Sequence, residues 1–506
     1  MATPQALAQP LVFSEFFAPL IEAGADGVPT VKLPAAGRLI GAEGHELLEV
    51  HSPIDGRLVA RVVQANEEDI REAIDLADRS RSLIAGIPAI QRLHLLDKAA
   101  ELVREHRADF ETVILWEAGK PPKDAAGEVH ATIERMELAE EDIRKINGEY
   151  LPGDWSEDTR QKIALVVNEP IGIVAAISSF NYPLFIPAAK AVPALLAGNA
   201  HISKPASATP IAHLLWAYTM IQAGFPAEVL HVMAARGSVF GNLVAADRRV
   251  GMITFTGSTE VGAGLAAQAP LKPMHLELGG KGVAIVMDDA DLDLAAERCV
   301  EGSLKNAGQR CDAVSLILAL EPIADALVER LQKAMANWTH GDPREGSRIG
   351  PLISAKEAAR VEDLVGDAVT NGAVLLAGGA RTEAYLAPTL LDHVPPAARI
   401  ATEETFGPVI AVMRVNSFNE AAEMARRTNK GLDSCVFTRD FYRMWQTARR
   451  LEVGEVTIND IPRHGIGYFP FGGTGESGMG REGIGYSIQE MTYRKTVVFN
   501  LEPGSR

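Results

Sequence analysis

The chain has 506 residues, enough for two to four domains of ordinary size. Hydrophobic residues make up 47% of it and charged residues 23%, which excludes a mainly disordered chain. The formal net charge of −17 argues against a nucleic-acid-binding surface, because phosphate contacts need clustered Lys and Arg. We therefore expect a folded protein whose partners do not include nucleic acid.

The predicted elements follow in chain order. The first 45 residues contain several prolines and are expected to be irregular. Apolar residues three and four apart predict helices across 67–116 and another helix over about 123–147. Alternating polar and apolar residues then predict a strand in QKIALVVNEP.

A different pattern begins at IGIVAAIS, residues 171–178, a short apolar run typical of a strand buried on both faces. Strands and helices then alternate, and a second alternation runs from VAIVMDD, residues 283–289, to about residue 470. This pattern predicts an α/β protein with two doubly wound parallel sheets. The C-terminal TYRKTVVFN predicts a strand with no obvious partner nearby in the sequence.

Three cysteines, Cys299, Cys311 and Cys435, are too few for a disulfide framework and indicate a reducing compartment. No apolar run approaches the roughly 18 residues that a membrane-spanning helix needs. The first residues, MATPQALAQPLVFSEFF, lack the charged and apolar regions of a secretory signal. We expect a cytoplasmic protein with no membrane partner.

A thiol and a carboxylate are the strongest candidates for catalysis. Glu277 in LELGGK and Cys311 in NAGQRC are 34 residues apart, each beside irregular sequence that contains glycine. A thiolate is a nucleophile, and a carboxylate can act as a general base toward water. Arg310 is expected to favour ionisation of the thiol, and Asp312 to oppose it. Taken alone, the simpler interpretations are a buried core cysteine and a surface glutamate.

Other polar residues follow predicted strands. Asn181 in SSFNYPLF can donate a hydrogen bond to an oxyanion, although a turn-forming asparagine is equally compatible with the sequence. FTGSTEVG predicts a strand end and a helix start at which Ser258 faces a pyrophosphate, but the G-x-G-x-x-G fingerprint is absent. Lys204, at the end of HISK, can reach adenosine ribose hydroxyls or a 2′-phosphate; a solvated lysine is the simpler interpretation. Glu404 and Phe406 in EETFGPV precede a strand.

Taken in order, FNYP, SKPAS, FTGSTEVG, LELGGK, GQRC, EETFGPV and PFGGTGESGMGREG strongly resemble the motifs of the aldehyde dehydrogenase superfamily over about residues 48–500. The resemblance implies that family's fold, with a dinucleotide-binding domain (1–147 and 169–279), a catalytic domain (280–478) and a small β oligomerisation element that bridges them (148–168 and 479–506). It also implies a homodimer or homotetramer in which the tail strand extends a neighbour's sheet.

The resemblance also implies residue roles. Cys311 attacks the aldehyde carbon, Asn181 and the backbone N–H of Cys311 form the oxyanion hole, and Glu277 activates water. The thiohemiacetal passes hydride to a nicotinamide and becomes a thioester, which water hydrolyses to the acid. No metal is expected, and Cys299 and Cys435 are interpreted as core residues. The implied cofactor-binding residues are Lys204, Ser207, Gly237, Gly241, Phe255, Gly257, Ser258, Glu404 and Phe406.

One departure from the family pattern bears on the cofactor. NAD-preferring members usually carry a Glu three residues after the Lys of the Lys-Pro motif, where this chain has Ser207. That Glu would bond the ribose hydroxyls and repel a 2′-phosphate. The cofactor is therefore expected to be NADP or NAD, with NADP favoured.

The motifs are most similar to those of non-phosphorylating glyceraldehyde-3-phosphate dehydrogenases and lactaldehyde-type enzymes. The resemblance to that subgroup implies that Tyr182 and Arg310 contact the substrate. The subgroup also has an arginine at a position near His464, beside Arg463, so these two residues are further candidate substrate contacts. A second family arginine, expected near Ala131, is not clearly kept. We expect a small hydroxylated or anionic aldehyde, with a carboxylate fitting at least as well as a phosphate.

Two alternatives remain open. A CoA-acylating semialdehyde dehydrogenase would pass the acyl group to a thiol, but such enzymes typically lack the base that Glu277 supplies. A catalytically silent relative would have a structural or binding role, against which the presence of Cys311, Glu277 and Asn181 together argues.

Overall fold

The computed structural model describes residues 11–501. The predictions that concern residues 1–10 and 502–506, including most of the segment inspected for a secretory signal, lie outside the described residues. Within 11–501, no helix combines the length and the apolar character needed to cross a bilayer.

Helices form where the 3.6-residue pattern predicts them. The first begins at a capping box, in which the Asn66 side chain and the Asp69 side chain each accept from the other residue's backbone N–H. The α-helices of the described residues are α1 (Glu67–Gly86), α2 (Ala89–Glu105), α3 (Arg107–Ala118), α4 (Pro122–Glu137), α5 (Ala139–Ile143), α6 (Phe185–Leu196), α7 (Ile211–Ala223), α8 (Gly237–Ala246), α9 (Thr259–Gln268), α10 (Leu292–Leu304), α11 (Glu321–Met335), α12 (Ala355–Thr370), α13 (Phe418–Ala425), α14 (Phe441–Arg450) and α15 (Tyr486–Glu490).

Strands account for most of the remaining core. Those of the described residues are β1 (Ile21–Glu22), β2 (Thr30–Val31), β3 (Leu33–Ala35), β4 (Arg38–Ile40), β5 (Glu46–His51), β6 (Leu58–Gln64), β7 (Glu149–Pro152), β8 (Lys162–Pro170), β9 (Ile173–Ile177), β10 (Ala200–Lys204), β11 (Leu230–Val232), β12 (Met252–Thr256), β13 (Met274–Glu277), β14 (Gly282–Val286), β15 (Val314–Leu320), β16 (Val374–Ala377), β17 (Arg381–Thr382), β18 (Tyr385–Leu386), β19 (Thr389–Asp392), β20 (Val409–Val415), β21 (Lys430–Gly431), β22 (Asp433–Phe437), β23 (Glu455–Ile458), β24 (Thr474–Gly475), β25 (Gly478–Met479) and β26 (Thr492–Asn500).

Two large sheets confirm the predicted α/β class. The first has the order β11-β10-β9-β12-β13-β25 and is parallel except for β25. The second has the order β16-β19-β20-β15-β14-β22-β23 and is parallel except for β16. The strand β25 lies at the predicted boundary near residue 478 and joins the first sheet rather than the second. The predicted division into domains otherwise stays a prediction.

Two details differ from the sequence-based expectations. The segment before residue 45 is not irregular throughout, because it contains β1–β4 and a 3₁₀ helix at Glu15–Leu20. The helix predicted over 123–147 is two helices, because the backbone leaves helical geometry at Leu138. The tail strand β26 pairs antiparallel over its full length with β8, a strand that is distant from it in the sequence.

A buried ion cluster fixes the C-terminal segment to the first sheet. The Lys190 ammonium on α6 donates to Glu482 at 2.5 Å, and His275 Nδ1 on β13 lies 3.2 Å from the same oxygen. All three side chains are buried. Burial alone would raise the pKa of Glu482, but Lys190 and His275 outweigh it and lower that pKa.

Glu482→Gln should therefore destabilise the fold by about 3–5 kcal/mol, because it leaves the Lys190 ammonium buried without a counter-charge. The measurement is the shift of the denaturant midpoint, with Glu67→Gln as control. Glu67 pairs with Arg71 on the exposed face of α1, and losing such a pair costs less than about 1 kcal/mol. Equal shifts in both variants would show that the buried cluster does not stabilise the fold.

Candidate active site

The predicted nucleophile and base are in direct contact. The Cys311 thiol donates to Glu277 Oε1, with Sγ 3.0 Å from the oxygen. Glu277 is the last residue of β13 in the first sheet, and Cys311 lies in the loop that precedes β15 of the second sheet. The contact therefore spans the facing edges of the two sheets.

Two glycines allow this approach. A Cβ at Gly280 would lie 2.9 Å from the carbonyl oxygen of Cys311, which is backbone that cannot easily move. A Cβ at Gly279 would lie 2.3 Å from Oε2 of Glu404. The glycine pair of LELGGK thus lets Cys311 and Glu404 both pack against the turn that follows Glu277.

The loop before the thiol has an unusual backbone. Asn306 and Ala307 both have φ of 54°, in the left-handed region that disfavours side chains. The Asn181 amide Nδ2 donates to the carbonyl of Gln309 at 3.0 Å, and Ser179 Oγ donates to Asn181 Oδ1 at 2.7 Å. Asn181 is therefore tied to the loop that presents Cys311, where an oxyanion donor is needed.

The thiol is not pre-ionised by its sequence neighbours. Burial raises the pKa of Cys311 well above its usual value, and the carboxylates of Glu277 and Asp312 raise it further. The expected lowering by Arg310 does not prevail, because its Nε donates to Asp312 Oδ1 at 2.8 Å. The proton on the sulfur is instead aimed at Glu277, which is placed to accept it.

His464 completes the immediate surroundings of the sulfur. Its Nδ1 lies 3.8 Å from Cys311 Sγ and 3.8 Å from Glu277 Oε1, and its Nε2 lies 3.5 Å from Asp433 Oδ2. Burial alone would lower the pKa of His464, but the carboxylates of Asp433, Asp312 and Glu277 outweigh it and raise the pKa to about 9. An imidazolium therefore faces the thiol at neutral pH.

Sequence reasoning missed several residues that support this cluster. Asp433 opens β22 and is fully enclosed, and burial raises its pKa to about 6 although His464 opposes this. The ring of Phe471 stacks on His464, with centroids 4.1 Å apart. Thr256 Oγ1 donates to Glu277 Oε2 at 3.2 Å. Thr256 and Phe471 lie in motifs that carried the resemblance, FTGSTEVG and PFGGTGESGMGREG, whereas Asp433 lies in none of them.

The predicted substrate residues divide into two groups. Arg310 is buried beside the thiol, and the ring of Tyr182 lies under the Lys120 ammonium at 3.7 Å. Arg463, by contrast, donates both guanidinium NH groups to Glu301, at 3.0 and 2.9 Å. The structure therefore brings His464 to the sulfur and commits the head group of Arg463 elsewhere.

The region around Ala131 offers no replacement for the absent family arginine. Arg135 is buried, and its guanidinium pairs with Asp142 at 2.7 Å. His130 is exposed and lies 3.6 Å from Glu134 on the same helix. Neither neighbour supplies a free cation for a substrate anion.

The predicted cofactor residues cluster at the carboxyl end of the first sheet. Lys204 ends β10, where burial lowers its pKa to about 8, and Ser207 is exposed in the turn that follows. Phe255 belongs to β12, and a Cβ at Gly257 would lie 2.6 Å from its ring. Ser258 caps α9 by accepting from the N–H of Val261 at 3.4 Å.

The remaining cofactor candidates are distributed over α8 and the β20 loop. Gly237 is the first residue of α8 and faces open space, whereas a Cβ at Gly241 would lie 3.1 Å from Leu265 of α9. Burial raises the pKa of Glu404, which lies against the LELGGK turn. Phe406 has φ of 47°, and its ring centroid is 5.8 Å from that of Phe180.

This edge fits a dinucleotide. Parallel sheets bind such ligands beyond the carboxyl ends of their strands, and helix N-termini offer free N–H groups to phosphates. The helices α8 and α9 both begin at this edge, and the open space at Gly237 leaves room for a ligand beside α8. Lys204 and Ser207 would lie at the adenosine end, and Glu404, against the turn that follows Glu277, at the nicotinamide end.

Comparison with known proteins bears out the motif-based identification. The family model described as "Aldehyde dehydrogenase family" matches residues 40–497. The NADP-dependent glyceraldehyde-3-phosphate dehydrogenase of Streptococcus equinus is 38% identical over 457 residues, 90% of this chain and 96% of that protein. The 3-sulfolactaldehyde dehydrogenase of Priestia aryabhattai is 34% identical, over 90% of this chain and 95% of that protein.

A solved structure of a related enzyme has the same fold as this chain. NADP-dependent glyceraldehyde-3-phosphate dehydrogenase from Bacillus halodurans C-125, complexed with NADP, superposes with a TM-score of 0.90 at 38% identity. The match covers 93% of this chain and 99% of that one. The predicted fold and the predicted enzyme class are thereby confirmed, and the chain belongs to the aldehyde dehydrogenase family.

Proposed function

We propose that this chain oxidises a small hydroxylated or singly charged aldehyde to its carboxylic acid, with NADP⁺ as the hydride acceptor. The observation that carries the proposal is the 3.0 Å contact between the Cys311 thiol and the Glu277 carboxylate. It places a nucleophile and a general base at one point, beside an edge that fits a dinucleotide. The names of the relatives from Streptococcus equinus and Priestia aryabhattai support the same chemistry.

Each residue has a defined task in the first half of the reaction. Glu277 takes the proton of the Cys311 thiol, and the imidazolium of His464 stabilises the thiolate that forms. The sulfur then attacks the aldehyde carbon. The amide of Asn181 and the N–H of Cys311 stabilise the oxyanion of the resulting thiohemiacetal. When bound, the nicotinamide accepts the hydride that this carbon gives up.

The second half releases the acid. A thioester on Cys311 remains after hydride loss. Glu277 releases the thiol proton to solvent and then takes a proton from the water that attacks the thioester. The carbon–sulfur bond breaks, and the sulfur leaves as a thiolate beside His464. Because the same carboxylate serves both halves, no second thiol is required, which distinguishes this proposal from transfer of the acyl group to CoA.

The charges around the sulfur favour a weakly charged substrate. The two cations, Arg310 and His464, already have the carboxylates of Asp312 and Asp433 as neighbours. Glu277 adds a further negative charge at the sulfur itself. A doubly charged phosphate would therefore meet little net positive potential, whereas a hydroxyl or a single negative charge needs only one donor.

We also propose a cytoplasmic homodimer or homotetramer. β26 forms one edge of the sheet β26-β8-β7, and its residues are almost all exposed. Val498 on this edge strand is 60% exposed, and Trp155, in the β7–β8 connection, is 81% exposed. An edge strand with exposed apolar side chains supports its covering by a second copy of the chain.

A panel of aldehydes tests the substrate class. We expect lactaldehyde, glyceraldehyde or succinic semialdehyde to give kcat/KM at least about tenfold above glyceraldehyde 3-phosphate, because close like charges cost several kcal/mol. Turnover should need no added CoA. A clear preference for the phosphorylated aldehyde would contradict the charge argument, and dependence on CoA would contradict hydrolysis by Glu277.

Substitution of Ser207 tests the cofactor. Wild-type enzyme should show higher kcat/KM with NADP⁺ than with NAD⁺. Ser207→Glu should lower the value for NADP⁺ at least about tenfold, because the new carboxylate repels a 2′-phosphate. Ser207→Ala is the matched control and should keep the NADP⁺ preference. A strong NAD⁺ preference in the wild type would defeat the prediction.

A further inference from the structure

The catalytic cluster has the composition of a transition-metal site. Among the described residues, Glu277, Cys311 and His464 each offer one ligand atom, and these atoms all lie within 4.8 Å of one another. Thiolate, imidazole and carboxylate are the three ligand types that Zn²⁺ takes from proteins. The dehydrogenase reaction described above uses these three side chains without a metal, and the same three side chains also fit a metal ion.

The distances fit one face of a tetrahedron. Sγ to Oε1 is 3.0 Å, Sγ to Nδ1 is 3.8 Å, and Nδ1 to Oε1 is 3.8 Å. Zn–S bonds of about 2.3 Å and Zn–N and Zn–O bonds of about 2.0–2.2 Å, at tetrahedral angles, separate the ligand atoms by about 3.3–3.6 Å. Each observed distance is within about half an ångström of that range, so rotations of side chains are sufficient.

The surroundings of His464 supply the outer contacts that zinc-binding histidines usually have. Its Nε2 lies 3.5 Å from Asp433 Oδ2, and neither atom completes a hydrogen bond of good geometry in the described structure. Both atoms are buried. A metal on Nδ1 would leave the proton on Nε2, directed at Asp433, which is the carboxylate–histidine–metal arrangement. Stacking on Phe471 holds the ring in the required plane.

The ligand set also matches the charge of the ion. A metal-bound cysteine is a thiolate and a metal-bound histidine is neutral, so a thiolate at Cys311 and a carboxylate at Glu277 would supply two negative charges to Zn²⁺. Binding would therefore release protons to solvent and leave no net charge on the occupied site.

We propose that Glu277, Cys311 and His464 form a Zn²⁺ site, and that the bound ion reversibly inhibits the enzyme by occupying its nucleophile. Cys311 is only partly buried, so an ion can reach it, and three protein ligands leave a fourth coordination position for water. The inhibition rests on the proposed function, because it requires Cys311 to be the nucleophile. The binding of Zn²⁺ does not depend on the proposed function.

Cobalt(II) is the probe, because tetrahedral Co²⁺ bound to a thiolate gives charge-transfer and visible bands that aqueous Co²⁺ lacks. The full chain without nucleotide should bind one Co²⁺ with both features, and Zn²⁺ should displace it. His464→Ala and Cys311→Ala should each remove the tetrahedral spectrum. Asp433→Asn should weaken Co²⁺ binding by about 10–100-fold. His130→Ala, an exposed histidine on α4, should bind like the wild type.

The activity arm uses the same titration. Zn²⁺ should inhibit the wild type over the concentration range in which it displaces Co²⁺, and a chelator should restore turnover. Co²⁺ binding that is unchanged in folded His464→Ala, or an octahedral spectrum without a thiolate band, would overturn the site. Co²⁺ binding with no dehydrogenase activity in any condition would instead refute the proposed function and leave the site intact.

Discussion

The contact between one sulfur and one carboxylate, across the gap between two sheets, is the constraint on which the rest of the structure depends. Glu277 closes β13, and only residues 278–281 separate it from β14 of the second sheet. This short crossing fixes the carboxyl edge of the first sheet against the amino edge of the second. Three site residues lie at the starts of strands on that second edge and therefore face Glu277. They are Cys311 before β15, Glu404 before β20 and Asp433 at the first position of β22.

The electrostatics of the cluster follow from its burial. The carboxylates of Glu277, Asp312 and Asp433 and the cations of Arg310 and His464 lie close together, and each of these side chains is at most 13% exposed. Each charge is tolerated because it has an opposite neighbour. The same arrangement keeps the pKa of the thiol high, so the nucleophile is protected until Glu277 accepts its proton. The negative charges of these carboxylates also disfavour a substrate that carries more than one negative charge.

Sequence patterns predicted the first sheet and its site well, because parallel strands place functional residues at their carboxyl ends, and Asn181, Lys204 and Glu277 follow that rule. The rule does not extend to the second sheet, which presents its amino ends. Cys311 was therefore found through its motif rather than through topology. The pairing of His464 with Asp433, and of Arg463 with Glu301, depends on distant chain segments that no local pattern relates.

The most direct test of the central claim is mass spectrometry of Glu277→Gln mixed with NADP⁺ and a substrate aldehyde. The first turnover of reduced cofactor should be slowed at least about tenfold, because the thiol has lost the base that takes its proton, and the peptide that contains Cys311 should accumulate the acyl group, because hydrolysis has lost the same base. Cys311→Ala should form neither reduced cofactor nor adduct, while Cys299→Ala, a change in the core, should match the wild-type enzyme in both measurements. An acyl group on another residue, or a first turnover in Glu277→Gln as fast as in the wild type, would contradict the account.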